Sequence, residues 1–241
     1  FMGQDTMNGE AAVRHMSREL KNHGVAAFLP TTMSASPEDT VKALEGIKAV
    51  MDRPEPDGAI VLGAHMEAPF LAEAKAGAQL KQYFVDPDEE NWQRYTGGLE
   101  SVVRLITMAP ERAGALDFIR ELTKKGIAVS IGHTTADAET THAAAEAGAT
   151  HVTHTFNAQT PLSHRAPGVP GAALVDDRLQ CEVISDGIHL HPDIVKLIIR
   201  TKGGEKLVAI TDAMEAAGMP DGQYQLGGQD VFVHEGAARL K

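Results

Sequence analysis

The 241-residue chain carries 33 acidic and 22 basic residues, which gives a formal net charge of -11. This excess of negative charge disfavours a nucleic acid or an anionic membrane surface as the main partner. The single cysteine, Cys181, excludes an intrachain disulfide and a cysteine metal cluster, and is typical of a reducing compartment. Because the sequence also lacks a long apolar run and the blocks of a signal peptide, we expect a soluble, cytoplasmic protein.

Seven short apolar or β-branched runs alternate along the chain with segments of helical periodicity. The predicted strands are VAAFLP near 25, GAIVLGAH near 58, VVRLITMAP near 102, GIAVSIGH near 126, THVTHTF near 150, LQCEVISDG near 179 and KLVAITDA near 206. The predicted helices cover 9–22, 37–51, 112–125, 135–147 and 193–200, where apolar residues recur at spacings of three and four. Ser36 followed by Pro37 is typical of a helix start, and Gly24, Gly126 and Gly148 are typical of helix ends.

Strands that alternate with helices and are almost continuously apolar predict a parallel sheet with both faces covered. Seven such units are one fewer than a closed (β/α)₈ barrel contains. We therefore predict an α/β fold, a (β/α)₈ TIM-like barrel without its first strand, over residues 1–218. In residues 219–241, the alternating segment DVFVH and the turn signal EG predict part of a small β-rich domain.

Polar side chains follow nearly every predicted strand. The carboxyl ends of parallel barrel strands lie at one mouth, where such folds place their active sites. The residues at these ends are His65 and Glu67, Glu111, His133, His154 and Asn157, Asp186 and His189, and Asp212. A single histidine at a strand end is more often structural, but several polar strand ends at one mouth favour a functional site.

Four of these residues predict metal-dependent chemistry. Glu67, His133 and His154 come from three different strand ends and supply the carboxylate and imidazole ligands of a metal site. Asp212 ends the last strand and faces the same mouth, as a carboxylate that can take a proton from water. The set is typical of a hydrolase. Its nitrogen and oxygen ligands favour zinc and are compatible with iron, cobalt or manganese.

Six sequence blocks resemble, in order, the signature of a known enzyme family. They are GAHMEAPF, MAPE, SIGHTTA, THTFNAQTPLSHRAPGVPGAAL, ISDGIHLHP and ITDAMEAAG, and they extend over about 60–218. The blocks are similar to those of the N-acetylglucosamine-6-phosphate deacetylases, within the amidohydrolase superfamily. The resemblance implies a (β/α)₈ barrel with a small β-sandwich, a divalent metal cofactor, a homodimer, and deacetylation of an amino-sugar phosphate in amino-sugar metabolism.

The resemblance also implies roles for individual residues. Glu67, His133 and His154 match the metal ligands, and Asp212 matches the general base and later acid in hydrolysis by metal-activated water, which releases glucosamine 6-phosphate and acetate. The positions that match sugar-phosphate contacts are Ala78, Gln79, Asn157, Ala158, Arg165 and His189. Arg165 lies in a Gly/Pro-rich loop, which suits a rigid bidentate contact between its guanidinium group and a phosphate. This arginine would supply the local positive charge that an acidic chain otherwise lacks.

Departures from the family pattern leave two alternatives open. Gln79 stands where the family has a histidine, and an amide donates a hydrogen bond without carrying charge. The first alternative is therefore a deacetylase or deaminase that acts on another substrate. Arg165 argues against this alternative, because a phosphate clamp favours a phosphorylated sugar as the substrate. The family's first strand would lie upstream of Phe1, so the number of metals is undefined and an inactive sugar-phosphate-binding relative is the second alternative. Asp212 argues against it, because binding alone needs no base.

Three further strand-end residues have structural interpretations. We favour a structural role for His65. We interpret Glu111 either as a residue at the start of a helix or as one that holds a metal ligand in place without binding the metal. Asp186 either positions His189 or caps its loop, and the sequence does not decide between these two roles.

Overall fold

The computed structural model describes residues 1–240, and its central element is a curled parallel sheet of seven strands with helices packed around it. This is an α/β fold of the (β/α)₈ TIM-like kind. In spatial order the strands are β2 (Thr31–Thr32), β4 (Ala64–Met66), β5 (Val103–Met108), β6 (Ala128–Ile131), β7 (His151–Val152), β8 (Gln180–Ile184) and β9 (Leu207–Ile210). Every neighbouring pair is parallel, so the carboxyl ends of all seven strands meet at one edge, which we call the mouth.

The prediction of seven sheet strands is confirmed, although two of the predicted segments each divide. VAAFLP gives β1 (Ala27–Phe28) as well as β2, and GAIVLGAH gives β3 (Ile60–Val61) as well as β4. Pro30, which has no amide hydrogen to donate, separates the first pair. Gly63 separates the second at a φ of 151°, close to the carbonyl of Val102. As a result, β1 and β3 pair with each other outside the main sheet.

Seven α-helices occur within the described residues 1–240. They are α1 (Glu10–Asn22), α2 (Pro37–Asp52), α3 (Glu89–Thr96), α4 (Ala115–Lys124), α5 (Ala138–Ala147), α6 (Gly168–Val175) and α7 (Pro192–Lys202). Five match predicted segments, and Ser36 Oγ caps α2 by accepting from Asp39 N, as predicted. The sequence missed α3, which is largely polar, and α6, which is apolar on all sides. No helix in this range is long and apolar enough to cross a membrane.

The core between sheet and helices is apolar, but the interior of the curled sheet holds a row of hydrogen bonds. Thr153 Oγ1 donates to Ser130 Oγ at 2.6 Å and lies 2.8 Å from Thr107 Oγ1, which lies 2.8 Å from His65 Nε2. A hydroxyl has one hydrogen, and that of Thr153 is donated to Ser130. Thr107 must therefore donate to Thr153, and His65 must donate from Nε2 to Thr107. Burial lowers the pKa of His65 to about 4, in agreement with a neutral ring. The structural role expected of His65 is thereby supported.

The end of the chain forms a separate antiparallel sheet of three strands, β10 (Gly222–Leu226), β11 (Gln229–His234) and β12 (Ala237–Leu240). The predicted EG turn is confirmed, because Glu235 and Gly236 both have positive φ and form a two-residue hairpin turn. Gln229 Nε2 donates to Ala78 O at 2.6 Å and so attaches this sheet to the main domain. The division into a barrel over 1–218 and a β-sandwich segment over 219–241 stays a prediction, and Lys241 lies outside the described residues.

Candidate metal centre and active site

Three predicted ligands meet at the mouth. Glu67 follows β4, His133 follows β6 and His154 follows β7, and all three are buried. Glu67 Oε1 lies 2.9 Å from His133 Nε2 and 3.1 Å from His154 Nε2, and the two Nε2 atoms are 3.0 Å apart. These separations are close to the roughly 3.3 Å between ligand atoms around a tetrahedral zinc ion. The group could therefore hold a metal ion.

In each imidazole, the hydrogen bond at Nδ1 fixes the tautomer of the ring. His133 Nδ1 lies 2.7 Å from Lys75 O, and His154 Nδ1 lies 3.1 Å from Asn157 O. A carbonyl oxygen only accepts, so both Nδ1 atoms carry the hydrogen and both Nε2 atoms of the neutral rings present lone pairs. Two lone pairs and a carboxylate oxygen then face one another at about 3 Å. They repel unless a cation lies among them, and the residues present therefore fit a metal ion.

The pKa values show how strongly this group attracts positive charge. A proton can take the place of that cation, because a protonated Nε2 atom donates to Glu67. Burial by itself raises the pKa of Glu67, but such hydrogen bonds from His133 and His154 hold it well below its ordinary value. Burial by itself lowers the pKa of His154, but the hydrogen bond with Glu67 and the charges of Glu67 and Asp212 raise it to about 9. The site thus stabilises a positive charge among its ligand atoms.

The chain turns sharply at three of the functional candidates. His133, His154 and Asp212 have φ values of 46°, 30° and 49°, in the left-handed region that residues other than glycine rarely adopt. Each such residue costs about 1–3 kcal/mol, and the conformation persists only where the surrounding structure holds it. Strained backbone at three strand ends is typical of a functional site.

Contacts behind His133 hold the loop that follows it. Glu111 accepts hydrogen bonds from Thr135 N at 2.6 Å, from Thr135 Oγ1 at 2.8 Å and from Thr134 Oγ1. Gly77 packs against the ring with a φ of 58°, and a Cβ there would lie 3.4 Å from His133 Cε1. Glu111 therefore supports the His133 loop from behind, in line with one of the interpretations made from the sequence.

Asp212 follows β9 and stands at the solvent-facing side of the mouth, with an exposed side chain. Crowding by protein atoms and the negative charge of Glu67 raise the pKa of this carboxyl above its ordinary value. The charges of His154, His133 and His189 act in the opposite direction. Asp212 therefore lies within electrostatic reach of the three ligands and of His189.

Three of the predicted sugar-phosphate residues lie in loops at the mouth. Asn157 Nδ2 is buried and has no hydrogen-bond partner within residues 1–240, so it is an unsatisfied donor. Ala158 O accepts from Thr134 N at 3.2 Å and so joins the His154 loop to the His133 loop. His189 Nδ1 lies 2.7 Å from Asp186 Oδ2, and Asp186 Oδ1 accepts from His189 N. Asp186 Oδ1 also accepts from Ile188 N, so Asp186 both caps the loop and positions His189, the two roles between which the sequence did not decide.

The other three predicted residues are placed differently. Gln79 is buried, and its Oε1 accepts from Ser34 N at 2.8 Å. Ala78 O is engaged by Gln229, so both residues join the loop after Glu67 to neighbouring parts of the chain. Arg165 is exposed in the loop before α6, and among the described residues it makes no hydrogen bond or ion pair. Within the described part of the chain, no contact joins Arg165 to Glu67, His133 or His154.

Two buried polar residues near the mouth were missed by the sequence analysis. Burial raises the pKa of Glu182 to about 7, and its charge interacts with those of His154, Glu67 and Asp212. The available signal was a glutamate inside an apolar strand. Gln159 is also buried, and its amide bonds to Thr153 O and Phe156 N, on either side of His154 and Thr155. Its position inside a polar loop gave no signal.

A family model, described as the amidohydrolase family, matches residues 4–222. The chain belongs to the amidohydrolase family. Amidohydrolases are metal-dependent, in keeping with the Glu67, His133 and His154 group.

This amidohydrolase is similar to N-acetylglucosamine-6-phosphate deacetylase of Bacillus subtilis (strain 168), with 41% identity over 99% of the chain and 61% of the relative. It is also similar to N-acetylgalactosamine-6-phosphate deacetylase of Escherichia coli O157:H7, with 39% identity over 93% of the chain and 58% of the relative. The amidohydrolase chain thus spans about three fifths of the length of these relatives.

Among solved structures, this amidohydrolase resembles a mutant N-acetyl-D-glucosamine-6-phosphate deacetylase from Mycobacterium smegmatis in complex with N-acetyl-D-glucosamine-6-phosphate. The TM-score is 0.91 at 36% identity, over 99% of this chain and 62% of that one. A deacetylase structure from Thermotoga maritima has a TM-score of 0.91 at 33% identity, over 100% of this chain and 64% of that one. Both confirm the TIM-like fold predicted from the sequence.

Proposed function

We propose that the protein containing this chain removes the acetyl group from N-acetylglucosamine 6-phosphate and releases glucosamine 6-phosphate and acetate. The observation that carries the proposal is the convergence of the Glu67, His133 and His154 ligand atoms, with Asp212 in electrostatic reach of them. The names of the bacterial relatives support this substrate class.

The roles of the residues follow from their chemistry. Glu67, His133 and His154 would hold a divalent ion, which would supply Lewis acidity for polarising the amide carbonyl and activating water. An Asp212 carboxylate oxygen takes a proton from the attacking water and returns it to the departing amine nitrogen. Its raised pKa suits a group that must first accept and then donate.

The sugar phosphate lies, in this proposal, against the loops that follow β7 and β8. The free Nδ2 donor of Asn157 and the backbone at Ala158 hold the sugar, while Arg165 and the Asp186-oriented His189 hold the phosphate. Exposed guanidinium groups bind phosphate through paired hydrogen bonds. Ala78 and Gln79 shape the opposite wall, where the Gln79 amide nitrogen has no hydrogen bond within residues 1–240.

We further propose zinc as the metal, a cytoplasmic location and a homodimeric assembly. Two imidazoles and one carboxylate are the ligand types of catalytic zinc sites. The single cysteine supports a reducing compartment. The homodimer rests on the resemblance of the sequence blocks to the deacetylase family.

Acetate release from N-acetylglucosamine 6-phosphate tests the proposed function. We expect zinc-dependent activity that disappears on chelation and returns with added zinc. Asp212→Asn, with an unchanged metal content, is expected to lose about 10²- to 10⁴-fold in kcat. Asp57→Asn, at an exposed aspartate, is the matched control. Full turnover by the Asp212 variant at normal metal content would contradict the mechanism.

A second candidate substrate is the 4-epimer, N-acetylgalactosamine 6-phosphate. The N-acetylgalactosamine-6-phosphate deacetylase of Escherichia coli O157:H7 is 39% identical to the chain. This identity is close to the 41% of the N-acetylglucosamine-6-phosphate deacetylase of Bacillus subtilis. Both epimers should therefore be assayed in parallel, and the ratio of their kcat/KM values decides the preferred substrate. A higher kcat/KM for the galactosamine derivative would reverse our assignment and leave the metal chemistry unchanged.

A further inference from the structure

The segment His154–Thr155–Phe156–Asn157–Ala158, which we call the HTFNA loop, has an unusual backbone. His154, Phe156 and Ala158 have φ values of 30°, 81° and 50°, so three of five residues are left-handed and none is glycine. The same loop carries a candidate metal ligand and the free donor of Asn157. Such a backbone persists only when groups outside it hold it in place.

Gln159 supplies two of the bonds that hold this loop. Its side chain is 3% exposed. Nε2 donates to Thr153 O at 2.8 Å, and Oε1 accepts from Phe156 N at 3.1 Å. Thr153 O and Phe156 N lie on either side of His154 and Thr155 in the chain. The Gln159 amide therefore closes a hydrogen-bonded ring that contains His154, whose Nε2 atom faces Glu67.

Both ends of the amide are required. Thr153 O can only accept and Phe156 N can only donate, so the bridging group must have one donor and one acceptor. Methionine has a similar length but provides neither strong group. An ionised glutamate keeps the shape and the acceptor, but it sets an oxygen against the carbonyl of Thr153.

The loop also reaches the second histidine. Ala158 O accepts from Thr134 N, directly after His133, and Asn157 O accepts from His154 Nδ1. A change in the loop backbone therefore alters the direction of the His154 ring and the position of the His133 loop.

We propose that Gln159 is a positioning residue of the metal centre, which sets the direction of His154 Nε2 by bridging Thr153 O and Phe156 N. The inference rests on the proposed function in one respect, because it takes Glu67, His133 and His154 as the metal ligands. Gln159 itself touches neither metal nor substrate. Its effect passes through the HTFNA loop.

Zinc affinity, measured with Zn²⁺ alone against a competing chelator, tests this role. We expect Gln159→Met and Gln159→Glu to raise the Kd for Zn²⁺ about 10- to 100-fold, as loss of a group that orients a metal ligand does. Thr96→Val is the matched control, since it removes one buried hydrogen bond, from Thr96 Oγ1 to Trp92 O at 2.8 Å in α3. This control should bind Zn²⁺ as the unchanged protein does.

A spectroscopic measurement separates positioning from general destabilisation. With Co²⁺ as the probe, the visible absorption bands report the coordination geometry, and we expect them to shift in both Gln159 variants and to stay unchanged in Thr96→Val. Unchanged zinc affinity and unchanged bands in Gln159→Met would overturn the proposal. An equal loss of affinity in Thr96→Val would do so too. If Gln159→Met does not fold, Gln159→Glu is judged by the same criteria.

The measurements distinguish this inference from the proposed function. Zinc affinity is determined without substrate, so a protein that binds zinc but releases no acetate contradicts the deacetylase proposal alone. Weakened zinc binding in the Gln159 variants would still support the positioning role. Absence of any zinc binding in the unchanged protein overturns both.

Discussion

His133 Nε2 and His154 Nε2 face each other at 3.0 Å, and each ring has its hydrogen bound on the far side to a backbone carbonyl. When both rings are neutral, the facing nitrogens therefore present lone pairs to each other and to Glu67. Such an arrangement has an unfavourable electrostatic energy that a bound cation removes, so folding and metal binding are linked.

The first prediction concerns this linkage. Zinc at about 100 times its Kd should stabilise the protein by about 2.7 kcal/mol, which raises Tm by roughly 5–10 °C for a chain of this size. His154→Ala should abolish the shift, because it removes one of three ligands. Thermal unfolding with and without zinc measures it. His234→Ala, at the exposed end of β11, is the control, and an undiminished shift in His154→Ala would contradict the assignment.

The second prediction concerns Asn157, whose Nδ2 is buried without a partner within residues 1–240. Asn157→Ala should raise the KM for the sugar phosphate about tenfold, the value of one hydrogen bond, yet change the free energy of unfolding by less than about 1 kcal/mol. Steady-state kinetics and urea unfolding check the two parts. Asn91→Ala provides the converse case, because its Nδ2 donates to Asp86 O and Asp88 Oδ2 away from the mouth. That variant should lose stability with no change in KM.

The third prediction concerns Glu111, which accepts three hydrogen bonds from Thr134 and Thr135 after His133. Glutamine at this position keeps the shape but has only one acceptor oxygen, so the His133 loop loses part of its support. We expect Glu111→Gln to weaken zinc binding about tenfold, at the lower end of such effects because Glu111 is exposed. Competition titration measures the change. Glu121→Gln, exposed on α4, should have no effect, and equal affinities in the two variants would refute the role.

The fourth prediction concerns Arg165, the proposed phosphate clamp. Arg165→Ala should raise the KM for N-acetylglucosamine 6-phosphate by roughly 10- to 100-fold, because charge-assisted hydrogen bonds contribute about 1.5–3 kcal/mol. The KM for unphosphorylated N-acetylglucosamine should stay unchanged. Arg200→Ala, exposed on α7, is the control. An equal effect on both sugars would remove the phosphate assignment.

The fifth prediction concerns the pH dependence of stability. The hydrogen bonds of Arg178, and then of His142, hold the pKa of the buried Asp176 carboxyl well below its ordinary value of 3.8. A lowered pKa in the folded protein stabilises it above the unfolded pKa, and this contribution is lost as the pH falls. Asp176→Asn should therefore cost about 1 kcal/mol at pH 7, a modest amount because Arg178 is half exposed. Urea unfolding from pH 7 to pH 2 should show a constant difference from the unchanged protein above about pH 4, which decreases steadily as the pH falls below that value.

One sequence pattern predicted both the parallel sheet and the three candidate metal ligands. Apolar strands ending in polar residues define a mouth, and parallel strands bring Glu67, His133 and His154 together there. Short-range patterns did not predict α6, because an apolar, Gly/Pro-containing helix has no polar face to produce a periodicity. Pro30 and Gly63 divided strands for local steric reasons that hydropathy does not record.

The finer geometry of the site was beyond the sequence. Left-handed backbone at His133 and His154 has no local marker, because neither residue is glycine and the conformation is imposed by distant contacts. The Gln159 bridge is equally invisible, since a glutamine in a polar loop has many possible partners. The partners of Asp186 depend on the turn that the loop after β8 adopts.

The row of hydrogen bonds beneath the mouth has a consequence for the rigidity of the sheet. The side chains of Thr31, His65, Thr107, Thr153 and Ser130 connect five adjacent strands. Sliding of one strand against its neighbour would leave a buried polar group without its partner, at a cost of about 1–3 kcal/mol. The row therefore resists strand sliding directly beneath the strand ends that carry Glu67, His133 and His154.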